Sequence, residues 1–491
     1  MENVAPSPDK IIINKKIWGE FTLIIAIFVL ILFIFENSFI TPAVIINPFD
    51  FISFLVINCI SIALIFAYLI FTHYRIQFRS EIVALFTLSI LIISNSVVIG
   101  NLPFTLIEEL KLSNGDLQTI TISIDMIDRL RSFLLSISAS LLIYVMIFVF
   151  PKQKHTSTII ILSAFVLVAA GYVFIVHSLI TEMDKYVETI TSGITAYSHV
   201  PEGLFVNRNL FASYLFVSFL SCFYLWTRMR KFRWLFLILS IPIAVIIFFT
   251  VSKTKIIMFS FTYLAFWIYW LVTLFPKHKI FFAFALPISL LTLTTLIVFR
   301  FVPALETTFL GKLLNDILPD SIFVTDSLLS RFIIWRYALS YLKEPFNLFF
   351  GRGFYLSKML LGTAMAYEPA THFTYRWGNF HNGFLEVIST GGLILLIPYL
   401  TFIGYLVYVN IKIFKFNKPL AFYSLVALTA FFIHSSFEAV SLLLFNAEGI
   451  IHALPVIFPS LVYYHKLKKE KLIVSNWDLK HQDKPLLAFM D

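Results

Sequence analysis

Apolar runs of about 20 residues recur along nearly the whole chain, and no other feature constrains its fold as strongly. A helix of that length and composition crosses the hydrocarbon core of a bilayer. The sequence predicts twelve such spans, near residues 17–36, 49–71, 81–100, 132–150, 157–180, 207–226, 234–251, 256–275, 280–300, 382–409, 419–437 and 447–464. Only 13% of the residues are charged, about half the share in a soluble domain, which excludes a soluble fold. We expect an all-α polytopic membrane protein with about 12 transmembrane helices, surrounded by membrane lipids.

The Lys and Arg residues predict the orientation of these spans, because cytoplasmic loops are enriched in both. With the N-terminus inside, more than half of the 37 Lys and Arg residues fall in the inner segments. Both termini are therefore predicted to be cytoplasmic. The net charge of +9 follows from these loops, so no nucleic acid partner is expected. Cys59 and Cys222 lie in apolar runs, and we interpret them as buried residues and not as a disulfide or metal pair.

The predicted domain organisation is a transmembrane domain over 1–464 followed by a cytoplasmic tail over 465–491. The loop over 301–381, between spans nine and ten, has about 80 residues, which is far longer than an ordinary connector. It is rich in aromatic residues and leucine, so it is expected to be ordered and partly helical. Within it, a helix is predicted to begin at Asp326 or Ser327 and to end at Pro345.

Cations on the outer side are the informative ones, because the orientation rule disfavours them there. These residues are Arg208, Lys253, Lys255, Arg331, Arg336, Arg352 and Arg376. A single exposed cation usually has no specific role. Several of these, however, are flanked by apolar or aromatic residues, and an arginine suits bidentate binding of phosphate oxygens. The group therefore predicts an anionic ligand such as a lipid-linked diphosphate.

Catalytic signatures that depend on metals or phosphate-binding loops are absent from the sequence, so a reaction without metal or cofactor is favoured. The nearest acidic pair, Asp125 and Asp128, is typical of an amphipathic loop. His434 and Glu438 are four residues apart near the outer end of span eleven, and a structural hydrogen bond between them is expected.

Five short motifs occur in order along the second half of the chain. They are NRNLFASYL at 207–215, SKTK at 252–255, RFIIWRYAL at 331–339, GRGF at 351–354 and HNGFLEVISTGG at 381–392. Together with the long outer loop, this order resembles the O-antigen ligase and polymerase family over 207–398.

The resemblance implies a bacterial inner-membrane glycosyltransferase of the GT-C type, with the long loop in the periplasm. Such an enzyme moves a glycan from undecaprenyl diphosphate to lipid A-core or to a lipid-linked glycan, by inverting chemistry without a metal. The resemblance implies His381 as the catalytic base. It implies Arg208, Arg331, Arg336 and Lys253 as ligands of the diphosphate, with Asn207, Asn209, Asn382 and Arg352 in supporting positions.

Two positions depart from the family pattern. Lys253 stands where many members have arginine, which keeps the charge and loses the planar fork. Leu395 stands where the ligase pattern expects Gly, Thr or Tyr, which leaves a polymerase as the alternative to a ligase. A lipid-linked glycan flippase or other transporter is a second alternative, although transporters usually carry polar groups at mid-membrane. For His381 itself, the alternative to a base is an interfacial anchor.

Overall fold

The computed structural model describes residues 63, 78–101, 105–111, 115, 117–152, 156–192, 200–205, 208–229, 231–250, 252–274, 326–353, 356–366, 380–438, 440, 442, 447–470 and 472. The predicted spans near 17–36 and 280–300 lie outside these residues, as does the span near 49–71 apart from residue 63.

The described chain is mostly helical. Its helices are α1 (Phe78–Asn101), α2 (Met126–Tyr144), α3 (Thr156–Thr181), α4 (Met183–Ser192), α5 (Arg208–Arg228), α6 (Arg233–Phe249), α7 (Lys253–Leu274), α8 (Asp326–Tyr341), α9 (Pro345–Phe350), α10 (Leu356–Ala366), α11 (Gly383–Phe414), α12 (Lys418–Phe437), α13 (Ala447–Val456) and α14 (Phe458–Lys469). After α2 the chain continues through a π-helical turn, Val145–Val149, and a 3₁₀ turn, Phe150–Lys152.

Four of these helices, α3, α5, α11 and α12, are long and apolar enough to cross a membrane. Shorter apolar segments lie in α1, α6 and α7. Each of these helices coincides with a predicted span, so a multi-helix membrane protein is confirmed. The full set of twelve spans stays a prediction.

The last predicted span, near 447–464, consists of two helices. The break between α13 and α14 follows from Pro459, whose nitrogen cannot donate to the carbonyl of Pro455. The hydroxyl of Tyr423 donates to that carbonyl instead, at 3.0 Å. The helix α14 then continues to Lys469, beyond the predicted end of the span.

One segment is not helical, so the all-α prediction is wrong locally. In the connection between α1 and α2, strands β1 (Thr105–Lys111) and β2 (Leu117–Ser123) form an antiparallel hairpin with Thr105 opposite Ser123. The sequence LQTITIS alternates polar and β-branched residues, which suits a strand with one face covered. Gly115 in the turn has φ +93°, a value that glycine adopts without strain.

The described part of the long loop carries the helices α8, α9 and α10. The predicted helix begins at Asp326 but ends at Tyr341, and Pro345 is instead the first residue of α9. Proline suits that position because its missing N–H would have no helical partner there. Buried residues of α8 and α10 pack together and enclose Phe380, which immediately precedes His381.

The helix α11 is interrupted at Gly392, which has φ +62° and ψ −161°. A Cβ atom there would lie 2.2 Å from the backbone of Phe349, so only glycine fits. The segment after α9 binds the carbonyl groups just before this interruption. The N–H of Arg352 donates to Ser389 O at 2.8 Å, and that of Gly353 donates to Thr390 O at 2.7 Å. The long loop is therefore joined to the N-terminal part of α11 by backbone hydrogen bonds.

Candidate active site

Several helix ends meet at one end of the bundle. The hydroxyl of Ser252, just before α7, donates to Asn209 Oδ1 in the first turn of α5 at 2.8 Å. The side chain of Asn382, just before α11, donates to the carbonyl of Ser436 in the last turn of α12 at 3.1 Å. These contacts bring together segments that are far apart in the sequence and that carry most of the predicted site residues.

His381 lies at the start of α11 in a constrained conformation. Its φ is +46°, and it is the one non-glycine residue with positive φ among the described residues. The indole N–H of Trp335 on α8 donates to Phe380 O at 2.9 Å, which fixes the residue that precedes His381. Asn382 follows it and caps α11, because its Oδ1 accepts from the N–H groups of Phe384 and Leu385 at 3.0 Å. Sparsely populated backbone conformations held from both sides are typical of functional positions.

Glu438, the residue that follows α12, makes the central ion pairs of this site. Its Oε2 lies 3.4 Å from Nδ1 of His381, and its Oε1 accepts a hydrogen bond from Nη2 of Arg331 at 3.2 Å. Its side chain is 11% exposed. Burial raises the pKa of Glu438, but the hydrogen bond from His381 and the positive charges of Lys255 and Arg331 outweigh burial and lower it to about 2. The carboxylate is therefore ionised at neutral pH, with His381 and Arg331 in contact with it.

The hydrogen bond expected between His434 and Glu438 is formed by their backbones and, in the described contacts, not by their side chains. Lys255 Nζ forms a hydrogen bond with His434 Nε2, and both side chains are buried. The N–H of Glu438 donates to His434 O at 2.9 Å. The helix α12 ends before Glu438, whose backbone is extended, and the carboxylate contacts His381 and Arg331.

Arg331, Arg336 and Arg352 occupy different environments. Arg331, on α8, reaches Glu438. Arg336 lies about 140° further round the same helix; its side chain is exposed, with the guanidinium 5.9 Å from the centre of the Tyr337 ring. Arg352 is buried, and its guanidinium lies 5.6 Å from the centre of the Tyr341 ring. Its backbone N–H donates to Ser389 O beside the interruption of α11. The described contacts of these three arginines join Arg331 to the cluster around His381.

Arg208 and Asn209 begin α5, and Asn207 lies outside the described residues. Because Asn209 contacts Ser252, the backbone of Arg208 lies at the same end of the bundle as the start of α7. Lys253 is the first residue of α7 and adjoins this contact in the chain.

A carboxylate fixes the segment that leads to Arg208. Glu182, between α3 and α4, accepts hydrogen bonds from Gly203 N at 2.7 Å, from Ser178 Oγ at 2.8 Å and from Lys185 Nζ at 2.8 Å. Burial raises the pKa of Glu182, and these hydrogen bonds lower it by more, so the net change is downward. Residues 200–205 are thereby tied to the end of α3 a few residues before α5 begins.

No cluster of three or more His, Cys, Asp or Glu residues suited to a metal ion occurs within the described parts of the chain. Asp125 and Asp128 form a cap for α2: the N–H of Asp128 donates to Asp125 Oδ1 at 2.8 Å.

Glu438 and Lys255 are the site residues that sequence reasoning undervalued. A lone acid directly after an apolar span is costly to desolvate and is a functional candidate by default. Glu438 is such an acid, but the expected hydrogen bond with His434 on the same helix accounted for it without a functional role. Lys255 was noted among the outer cations, while the family resemblance pointed to its neighbour Lys253.

Comparison with curated protein sequences found no match. Residues 238–400, about a third of the chain, match the model of a family described as O-antigen ligase. This segment contains the motifs around Lys253, Arg331, Arg352 and His381, whereas Arg208 and Glu438 lie on either side of it. Over this segment, the match bears out the resemblance to the O-antigen ligase family that the sequence motifs carry.

Proposed function

We propose that the protein is an O-antigen ligase-like glycosyltransferase, which moves a glycan from undecaprenyl diphosphate to an acceptor sugar of lipid A-core. In this proposal the reaction takes place at the periplasmic face of the inner membrane. The observation that carries it is the contact between His381 and the ionised, buried Glu438, at the mouth of a helix in the family-matched segment. Arg331 adds a phosphate-binding side chain to the same cluster.

The chemistry begins with the acceptor hydroxyl. With Nδ1–H of His381 directed at Glu438, Nε2 is the basic nitrogen and takes the proton of the hydroxyl. The acceptor oxygen then forms a bond to the anomeric carbon of the donor sugar. The bond from that carbon to the diphosphate oxygen breaks, and the diphosphate leaves with the electron pair. Attack from the side opposite the leaving group inverts the anomeric centre, and the proton passes from His381 to solvent.

The role of the arginines is to stabilise charge on the leaving diphosphate. A guanidinium carries five N–H donors, so Arg331 can bind Glu438 and phosphate oxygens together. We assign Arg208 to the same ligand, because it starts α5 at the same end of the bundle, and Lys253 and Arg336 to its outer rim. Donors placed where charge develops lower the barrier of such a step.

A polymerase, which would transfer the glycan to a second lipid-linked glycan, is the second candidate. It uses the same base and the same leaving group. Leu395 favours it, because this residue departs from the ligase pattern and lies buried against Gly391 at the break of α11.

The acceptor identity and the metal requirement can be tested with detergent-purified protein and an undecaprenyl-diphosphate-linked glycan. Transfer to lipid A-core in excess chelator supports the ligase proposal. Transfer only to a second lipid-linked glycan supports the polymerase. Activity that is lost in chelator and restored by a divalent cation contradicts the reaction as written. A protein that binds and moves the donor across vesicles without transfer contradicts both enzymes.

A further inference from the structure

Trp335 on α8 connects the long loop to the backbone next to the candidate base. Its indole N–H, the single polar group of the side chain, donates to Phe380 O at 2.9 Å. Phe380 is itself fully buried in the apolar cluster that α8 and α10 form. The carbonyl of Phe380 is therefore held in place, and the peptide bond to which it belongs leads directly into His381.

The backbone of His381 requires support of this kind. Its φ of +46° lies in the left-handed region, which residues with a Cβ atom seldom adopt. On its C-terminal side, Asn382 caps α11 and donates through Nδ2 to Ser436 O. On its N-terminal side, the hydrogen bond from Trp335 orients the peptide. Loss of that hydrogen bond frees the peptide to turn, so that His381 can relax to a negative φ and its imidazole can leave Glu438.

The same face of α8 also reaches the carboxylate. Arg331 lies one helical turn before Trp335, so the two side chains project from one side of the helix. The guanidinium of Arg331 donates to Oε1 of Glu438, and Oε2 of Glu438 contacts Nδ1 of His381. One helix face therefore holds both members of the candidate pair, the carboxylate through Arg331 and the backbone of the base through Trp335.

A tryptophan near the end of a membrane helix bundle often serves as an interfacial anchor, with its N–H directed at lipid headgroups. The N–H of Trp335 is directed at Phe380 O instead. Its ring packs edge-to-face against that of Phe332, with the ring centres 5.4 Å apart, and Phe332 is the member of the pair that is 47% exposed. The anchor role therefore suits Phe332 better than Trp335.

We propose that Trp335 is a positioning residue of the transfer reaction: its N–H holds the peptide before His381, so that the imidazole faces Glu438 on one side and the acceptor hydroxyl on the other. Trp335 itself does not touch the substrate. The catalytic part of this inference rests on the proposed function, whereas its structural part, the backbone conformation of His381, does not. A small displacement of a catalytic group lowers the rate of the chemical step strongly, which makes kcat the sensitive measurement.

A stability cycle in detergent tests the structural part without any glycan. His381→Gly and His381→Ala both remove the imidazole with all its contacts, so they differ mainly in how well each tolerates positive φ. With Trp335 in place, His381→Gly should melt about 2 °C above His381→Ala. With Trp335→Phe, the backbone can relax, and alanine should become the more stable of the two. An advantage of glycine that survives Trp335→Phe, or that is absent with Trp335 in place, would overturn the proposal.

A kinetic cycle tests the catalytic part. Trp335→Phe should lower kcat on the order of tenfold and leave the KM of the donor unchanged. In the His381→Ala background, the same substitution should cause no further loss of kcat, because the group that it positions is gone. A further loss in that background contradicts a role through His381, and a raised donor KM points to the diphosphate site; either result overturns the proposal. Trp234→Phe on α6, where the side chain is 51% exposed, is the control and should leave kcat and KM unchanged.

The N–H can also be removed without changing the shape of the ring. Should Trp335→Phe fail to fold, 3-benzothienylalanine at position 335 keeps the bicyclic ring and replaces the N–H group by sulfur. It should cause the same fall in kcat and remove the same advantage of glycine at position 381, and full activity of this protein would overturn the proposal. Wild-type protein that transfers no glycan would contradict the proposed function but not the stability cycle.

Discussion

The Nδ1 atom of His381 lies 3.4 Å from Oε2 of Glu438, although 57 residues separate the two in the chain. A carboxylate on one nitrogen of an imidazole fixes the tautomer and leaves the other nitrogen basic. The pair therefore has the polarity that removal of a proton from a sugar hydroxyl requires.

If His381 is the base, His381→Ala should lower kcat by about 10²- to 10⁴-fold, with donor binding largely kept. His381→Gln keeps a donor and an acceptor but no basic nitrogen, so it should fail to a similar extent. The measurement is glycan transfer by purified variants, normalised to folded protein. Near-normal transfer by both variants would leave His381 with the role of an interfacial anchor.

Glu438 predicts a pH dependence of stability with a definite sign. Its pKa in the folded protein, about 2, lies below the ordinary value of 4.5. The ionised carboxylate therefore stabilises the fold above about pH 4.5, and this contribution is lost as the pH falls toward 2. The melting temperature of wild type should fall more steeply over that window than that of Glu438→Gln. Parallel curves would show that the carboxylate does not contribute in this way.

Arg331→Lys and Arg208→Lys should each raise the KM of the donor or lower kcat/KM by at least about tenfold, because a lysine cannot bind two phosphate oxygens as a planar fork. Arg233→Lys, at the opposite end of the bundle on α6, is the matched control and should leave the donor KM and kcat/KM unchanged. The comparison of kcat/KM for the three variants checks the assignment. Full activity in Arg208→Ala would remove Arg208 from the diphosphate site.

Gly392→Ala should prevent correct folding. Its backbone conformation is nearly restricted to glycine and costs about 1–3 kcal/mol for alanine. In addition, the new Cβ would lie 2.2 Å from Phe349. Gly404→Ala on the same helix is the control, because no atom lies within 4 Å of its Cβ, and it should be neutral or stabilising by up to about 1 kcal/mol. The yield of monodisperse protein after size exclusion measures both, and equal yields would contradict the strain at Gly392.

The predicted orientation can be tested by cysteine labelling. In a background with Cys59 and Cys222 replaced by serine, a cysteine at position 230 should react with an impermeant reagent only after the inner membrane is opened. A cysteine at position 326 should react in intact spheroplasts. The reverse pattern would invert the predicted topology.

The helical membrane fold and the resemblance to the O-antigen ligase family could be predicted from the sequence because both depend on local patterns. Apolar runs determine spans, and motifs such as HNGF at 381–384 need no tertiary contact to be recognised. The hairpin at 105–123 was not predicted, because a short strand pair depends on support from the rest of the fold. The break of α11 was not predicted either, because hydropathy does not register a change of backbone dihedral at Gly392.

The centre of the candidate site depends on contacts that no local pattern contains. Glu438 is 107 residues from Arg331, and only the packing of α8, α11 and α12 brings them together. Its spacing from His434 suggested a partner on the same helix, but the helix ends before Glu438, and the carboxylate contacts His381 and Arg331 instead. The residues that a motif names could therefore be proposed from the sequence, whereas the carboxylate that His381 and Arg331 share could not.

The backbone hydrogen bonds from Arg352 and Gly353 to Ser389 and Thr390 predict an order of assembly. They make the loop a constituent of the interruption in α11, about two helical turns beyond His381. We expect a newly inserted chain whose loop has not docked to lack these two donors and to hold His381 and Glu438 apart. We therefore expect newly inserted protein to be inactive until its loop has docked, so that folding of the loop and the onset of activity are one event.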